Sequence, residues 1–153
     1  MLLLDLLKND NLVKALYFDS PDFLDKNISP DFDRASLLYD RVWPFRFIPD
    51  IQDERKSIVM TKWRFLPYKG DDFYKVVAVT FFVIVHFDLM RTDEGLRTDF
   101  IFYEIDKVRR NSSIIGTSKF KLAEPIDDFA ADSGAKWLGA SFGYRALKLD
   151  VVK

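Results

Sequence analysis

The sequence predicts an α+β protein with a mainly antiparallel sheet, a long central β-hairpin and a few flanking α-helices. First, residues 76–85 are apolar except for Thr80 and are rich in the β-branched and aromatic side chains that favour strands. Second, a polar break separates this run from an earlier apolar run at 57–65, as between the strands of a hairpin. Third, apolar residues recur at helical spacing near the N-terminus and over 96–110.

Length and composition limit the class of protein. The 153 residues are 48% hydrophobic and 16% aromatic, which predicts one domain over 1–153, with a helical part at 1–42 and a sheet with one main helix at 43–153. A net charge of −1 gives no electrostatic reason to expect nucleic acid or an anionic membrane as the main partner. Without cysteine there is no disulfide, thiolate nucleophile or Cys-ligated metal. Because the apolar run at 76–85 is too short to cross a bilayer as a helix, we expect a soluble protein.

The N-terminal third is predicted to be helical in short pieces. Apolar spacing over 2–18 is interrupted by a polar patch at 8–11, which indicates one kinked helix or two short ones. After breaks at Pro21 and Pro30, Ser or Asp residues can cap a short helix over 33–42. The next segment, RVWPFRFIPD at 41–50, has two prolines among large apolar side chains. It is either a buried crossing segment or an exposed apolar lip that a partner covers.

The central hairpin is predicted over 57–88, with a polar tip at 68–72. Side chains alternate across a strand, so the apolar run needs cover on both faces. We expect the helix at about 96–110 to cover one face, because acids precede it and basic residues end it, as the helix dipole favours. The N-terminal helices or a neighbouring subunit would cover the other.

The C-terminal third is predicted to add two strands. Gly116 opens the first, with alternation at 119–122, and residues 137–152 form a closing strand that pairs antiparallel with it or with the sheet centre. Between them, the acidic stretch 124–134 contains Pro125 and is predicted to be a loop. Gly139 and Gly143 mark bulges or close backbone approach.

Residues that could carry chemistry are few. His86 and Asp88 share a strand face, but no Cys, second His or nucleophilic serine elbow completes an arrangement, so a structural histidine is the favoured interpretation. Pro49-Asp50 with Glu54 and Lys56 resembles a nuclease signature, but it lacks room for the turn that signature needs. The carboxylates around 88–99 and 127–132 do not follow a calcium-loop order. We therefore predict no enzyme activity, no catalytic residue, no metal and no cofactor.

The order of pieces resembles a known group. The aromatic-proline segment RVWPFRFIPDIQDERKSIVM leads into a strand, and a long apolar strand then ends in VHFDL. The helix GLRTDFIFYEIDKV, the strand IGTSKFKL and a last strand centred on SFGYRAL follow. Over roughly residues 35–150, this succession resembles the neck proteins of tailed bacteriophages, the tail-terminator and head-to-tail connector group.

The resemblance implies a structural virion protein that forms an oligomeric ring, a hexamer or dodecamer, at the head-tail junction. Its partners would be copies of itself and neighbouring neck or tail-tube proteins, with no membrane and no sequence-specific nucleic acid, although the genome may pass through the ring. It would be found in the virion neck or tail, and in the host cytoplasm during assembly. The expected interface residues are those of the lip and the hairpin tip: Trp43, Phe45, Phe47, Tyr68, Lys69, Asp71 and Asp72. The alternatives are a non-ring adaptor that binds another protein and a small metal-dependent nucleic-acid-processing enzyme using Asp88 or Glu54.

Overall fold

The computed structural model describes residues 2–46, 54–67, 74–111, 121–130 and 136–149. Within these ranges it contains a five-stranded sheet, a two-stranded sheet and three α-helices, which confirms the α+β class. The helices are α1 (Leu2–Leu6), α2 (Asp10–Tyr17) and α3 (Arg97–Asn111). The strands are β1 (Val42–Trp43), β2 (Ser57–Pro67), β3 (Tyr74–His86), β4 (Arg91–Thr92), β5 (Gly95–Leu96), β6 (Lys121–Ala130) and β7 (Trp137–Leu149).

The large sheet has the strand order β1-β2-β3-β7-β6, so the apolar run lies at its centre. Strand β3 pairs antiparallel with β2 on one side and with β7 on the other. The β2–β3 pairing runs from Ser57 opposite Val85 to Pro67 opposite Lys75. The predicted long hairpin and closing strand are therefore confirmed, while the hairpin tip lies outside the described residues.

The N-terminus forms two short helices, the second of the two arrangements expected. The side chain of Asn9 caps α2, where its Oδ1 accepts a hydrogen bond from the Leu12 N–H at 3.1 Å. Its Nδ2 donates to Glu104 of α3 at 2.9 Å. The polar patch that interrupts the apolar spacing therefore caps one helix and ties it to another. Among the described residues, no helix is both long and apolar enough to cross a membrane.

All three α-helices lie on one face of the sheet. One buried cluster joins Leu6, Leu12 and Ile101 of the helices to the odd-numbered side chains of β3, from Val77 to Val85. Of the two covers expected for the second face, the N-terminal helices are therefore wrong, and the neighbouring subunit stays a prediction. Since both α2 and α3 bury their apolar stripes against each other and the same sheet face, none of the described helices is left for the other face.

A buried arginine fixes this helical layer. The Arg97 side chain is fully buried, and its guanidinium donates to the carbonyls of Ala15 and Phe18 at 2.8 and 2.9 Å, of Leu89 at 2.9 Å and of Ser20 at 2.5 Å. Two of these carbonyls end α2, where the helix dipole favours a cation. Burial lowers the pKa of Arg97 to about 10, so it remains charged at neutral pH. The start of α3 is thereby joined to the end of α2.

Two predicted elements are wrong. The helix expected over 33–42 is a 3₁₀ turn at Arg34–Leu37 followed by strand β1, because Val42 and Trp43 pair with β2 and the chain becomes extended. The acidic loop expected over 124–134 is largely strand, since β6 extends from Lys121 to Ala130. An edge strand tolerates proline and acidic residues because it has a neighbouring strand on one side only, and its other side makes no hydrogen bonds within the sheet. Its register shifts occur around Glu124, opposite Gly143.

Candidate interaction surfaces

Among the described residues, the second face of the sheet, which we call the open face, carries a small apolar cluster. Ile58, Met60, Ile84 and Trp137 are buried there, with Trp43 and Phe82 partly buried against them. These residues occupy the end of the sheet where β3 finishes. Trp43, from the segment that carries the predicted lip, packs against this cluster.

The aromatic lip consists of Tyr39, Trp43 and Phe45. The rings of Tyr39 and Trp43 meet edge to face at 5.7 Å between centroids, and those of Trp43 and Phe45 at 5.5 Å. Trp43 packs inward and is half-buried, whereas Tyr39 and Phe45 are 61% and 50% exposed. The segment therefore combines both interpretations made from the sequence, a buried anchor and an exposed apolar edge. Phe47, also expected here, lies outside the described residues.

Backbone pairing holds the aromatic lip in place. Val42 of β1 lies opposite Val59 of β2, and the Val59 N–H donates to the Arg41 carbonyl at 2.8 Å. Arg41 in turn donates to both carboxylate oxygens of Asp19 at 3.1 Å. The backbone of Tyr39 has a φ of 63°, in the left-handed region that residues other than glycine rarely adopt. The Tyr39 N–H donates a hydrogen bond to the Val42 carbonyl at 2.9 Å. A strained turn thus points an aromatic ring outward.

Charged groups border the aromatic lip. The Arg46 guanidinium lies over the Phe82 ring at 4.8 Å, and Lys56 Nζ contacts Asp40 at 2.8 Å and Glu54 at 2.6 Å. The hydrogen bonds with Asp40 and then Glu54 raise the pKa of Lys56. Polar groups around an apolar centre are typical of a protein interface. Neither Tyr39 nor Arg46 was expected at this surface, because the position of Tyr39 depends on the turn before β1 and that of Arg46 on the path of the chain after β1.

The other predicted site, the hairpin tip, cannot be placed. Tyr68, Lys69, Asp71 and Asp72 lie outside the described residues, and their interface role stays a prediction. The neighbouring end of β2 is described, and it exposes large apolar side chains: Phe65 is 60% exposed and Leu66 37% exposed. Lys62 and Arg64, on the same strand, are also exposed.

The open face carries a basic row near this end. Arg64 of β2 lies opposite Ala78 of β3, which lies opposite Arg145 of β7, and Arg145 lies opposite Lys121 of β6. All three cationic side chains are exposed, and in a sheet such cross-strand partners share one face. The sequence conceals this row, because it can be found only once the strand register is known.

A cleft of about 530 Å³ lies at the opposite end of β3. It is lined by Phe87, Asp88, Met90, Arg91 and Leu96. Phe87 and Leu96 are exposed, and Arg55 pairs with Asp88 at 3.1 Å. The sequence analysis did not identify this cleft, since Leu96 was expected to be part of the apolar stripe of the main helix.

The residues considered for chemistry have structural partners. His86 Nδ1 accepts a hydrogen bond from the Asp88 N–H at 3.3 Å, and its ring meets Trp137 edge to face. Asp88 itself pairs with Arg55. In the described ranges, no group of three or more His, Cys, Asp or Glu side chains could hold a metal ion. The absence of enzyme activity stays a prediction.

Charges on α3 tie the helix to the sheet. Asp106 accepts hydrogen bonds from Tyr144 at 2.8 Å, from Arg109 at 2.9 Å and from Arg110 at 2.6 Å. Burial raises the pKa of Asp106, but the bonds from Tyr144 and the arginines outweigh burial and hold it below its usual value. Burial, and then the bond to Asp106, raises the pKa of Tyr144. We infer that the contacts of Asp106 with Tyr144, Arg109 and Arg110 stabilise the fold.

Comparison with known protein families identifies the family. A family model named YomW matches residues 9–134. This chain belongs to the YomW family. The family name is a gene name from the SPbeta phage region of Bacillus, which points to a phage-related protein. A search of curated proteins finds no match.

Proposed function

We propose that this YomW-family protein is a structural virion protein of a tailed bacteriophage, a tail terminator or connector that forms an oligomeric ring joining the tail to the capsid. Its phage relation and the order of its elements support this role. In this proposal, its partners are copies of itself and neighbouring neck or tail-tube proteins. It resides in the virion neck, and in the host cytoplasm during assembly.

The aromatic lip is the observation that carries the proposal. Tyr39 and Phe45 are exposed on the edge of a sheet face on which none of the described helices packs. Aromatic side chains bury much area at little conformational cost, and they are enriched at the centres of interfaces. The turn at Tyr39 holds one ring outward at a cost in backbone strain. Such a surface suits a subunit that binds other proteins in a particle.

Assembly tests this role. Electron microscopy of phage particles labelled on this protein should locate it at the neck, and imaging of the assembled protein should reveal a closed ring. A Tyr39→Ser, Phe45→Ser double variant should fold but fail to enter particles. The matched control is Tyr103→Ser, which changes a 56% exposed tyrosine on α3 and should be incorporated normally.

The alternatives predict different results. Incorporation of the double variant at wild-type levels would contradict a role for the aromatic lip. A 1:1 complex with one phage or host protein, with no ring in solution or in particles, would establish the adaptor instead. Nucleic-acid cleavage that needs a divalent ion and is lost in Asp88→Asn would establish the enzyme.

A further inference from the structure

The large sheet ends in β1 and β2 on one side and in β6 on the other. Strand β1 covers β2 only at Val59 and Met60, because the next residue of β1 would be Pro44, which has no N–H to donate. None of the described strands pairs with the outer side of β2 beyond Met60, or with the outer side of β6. We call the outer side of residues 61–67 the β2 edge and that of Lys121–Ala130 the β6 edge. Such edges present backbone groups that can pair with a strand of another chain.

The backbone of both edges faces outward at alternate residues. The Val59 N–H points away from β3, since it donates at 2.8 Å to the carbonyl of the residue before β1. Backbone groups alternate between the two sides of a strand, so those of Trp63 and Phe65 also point outward. The same alternation, followed through β3 and β7, directs the backbone groups of Leu122 and Asp128 outward from β6.

The side chains of the two edges match when the strands run antiparallel. Leu122 and Asp127 pair with β7 residues that are three positions apart, which is also the spacing from Phe65 to Lys62. One register therefore places Phe65 opposite Leu122 and Lys62 opposite Asp127. Phe65 and Leu122 are 60% and 51% exposed on the face that carries the helices, whereas Lys62 and Asp127 are exposed on the open face. An apolar pair and an opposite-charge pair thus form together, each with its two side chains on one face.

The charges favour pairing of unlike edges. Within residues 61–67 the charged side chains are Lys62 and Arg64, so two β2 edges could form no opposite-charge pair with each other. The register that sets Lys62 opposite Asp127 also sets Arg64 opposite a second acidic residue, Glu124. The two edges of one molecule cannot pair, because β3 and β7 lie between them. A contact between the β2 edge and the β6 edge must therefore join two molecules.

We propose that the β2 edge of one copy pairs antiparallel with the β6 edge of a second copy, with Phe65 opposite Leu122 and Lys62 opposite Asp127. The five-stranded sheets of neighbouring copies then form one continuous sheet. Because the contact uses different patches on the two partners, it is heterologous, and such contacts form a ring when the rotation between copies closes. The inference deepens the proposed function, on which it rests, by naming the contact between neighbouring subunits.

Disulfide cross-linking tests the register, and the chain suits this test because it has no cysteine. In the proposed register Lys62 and Asp127 form a non-hydrogen-bonded pair, whose Cα atoms lie about 4.5 Å apart, within the range of about 4.4–6.8 Å that a disulfide requires. On mild oxidation, the full chain with both Lys62→Cys and Asp127→Cys should give a ladder of linked copies that ends at the ring size. Each single variant should give no ladder, and an equimolar mixture of the two should give linked dimers only.

The matched control for cross-linking combines Arg91→Cys with Asp127→Cys. Arg91 is also an exposed cation, but it lies outside both edges. This control should give at most about a tenth of the linked product, because its thiols are not held together by the contact.

Charge reversal tests the same contact without a covalent link. Lys62→Glu and Asp127→Lys should each weaken association of the full chain at least about tenfold in multi-angle light scattering, because like charges then lie opposite each other. Their equimolar mixture should associate again, since every contact between the two variants pairs a lysine with an acid. This rescue also demonstrates that both variants fold.

Two results would overturn the edge contact. Cross-linking of the control pair as efficient as that of the 62–127 pair, or association unchanged in both charge variants, would do so and leave the ring proposal standing. A wild type that is monomeric at every concentration, together with a double cysteine variant that forms no ladder, would also overturn it. Imaging of particles would still decide the ring.

Discussion

Two adjacent phenylalanines on β3 face opposite environments. Phe81 points to the helical layer, is fully buried and stacks on Phe142 at 5.4 Å. Phe82 points to the open face, is half-buried and is covered by the Arg46 guanidinium. The two positions are alike in sequence, so the difference comes from the elements packed above each one. One face packs against the helices, and the aromatic lip that we propose for recognition borders the other.

The largest expected effect comes from comparing these two positions directly. Phe81→Ala should lower the free energy of unfolding by about 3–5 kcal/mol, because it leaves a cavity in a closed core. Phe82→Ala should cost less than about 2 kcal/mol, because part of that side chain is already accessible to water. Urea denaturation of both variants measures the difference. Equal losses would mean that the open face is as well covered as the helical one.

The buried Arg97 provides the second test of the covered face. Arg97→Met should cost at least about 3 kcal/mol, because four carbonyls of buried or partly buried backbone lose their donor and each one that water does not reach costs about 1–3 kcal/mol. The loss should be seen as a lower urea midpoint. Arg91→Met, at an exposed arginine six residues earlier, is the control and should change stability by less than about 0.5 kcal/mol. A small effect at Arg97 would mean that the helical layer is held by apolar packing alone.

The sheet could be predicted from sequence because its apolar pattern is local. The composition of residues 76–85 predicts a strand independently of the rest of the chain. The polar break before them predicts that this strand forms a hairpin with the preceding one. The covered face could not be predicted, since the even-numbered and odd-numbered side chains of β3 are both mostly apolar. The sequence predicts a strand at the start of β6 but a loop for its acidic part, because Asp127 and Asp128 are both exposed at a sheet edge, where no apolar alternation is required.

The candidate surfaces were predictable only in part. Trp43 and Phe45 could be selected because large apolar residues beside prolines suggest a segment held at a surface. The basic row could not, since Arg64, Lys121 and Arg145 are distant in sequence and meet only through strand register. The cleft could not be predicted either: its lining residues all lie within 87–96, but they form a cavity only because the end of β3 and the β4–β5 turn fold together.

Unfolding at a series of pH values measures how much the charge of Asp106, on the covered face, contributes to stability. The pKa of Asp106 is lowered in the folded protein from its usual value of 3.8, so its stabilising effect is complete above that value and is lost as pH falls through the folded pKa. Asp106→Asn should therefore cost about 1–3 kcal/mol at neutral pH. This difference from wild type should shrink progressively below about pH 4. A difference that stays constant in acid would show that the charge of Asp106 is not responsible.

The smallest effect on folding is expected at the aromatic lip. Phe45→Ser changes a half-exposed ring, so the free energy of unfolding of the monomer should move by less than about 1 kcal/mol. Phe23→Ser, at a fully buried ring, is the contrasting variant and should cost several times more. Urea denaturation at low protein concentration gives both values. If Phe45→Ser costs as much as Phe23→Ser, then the aromatic lip belongs to the core, and its exposure is no argument for a partner.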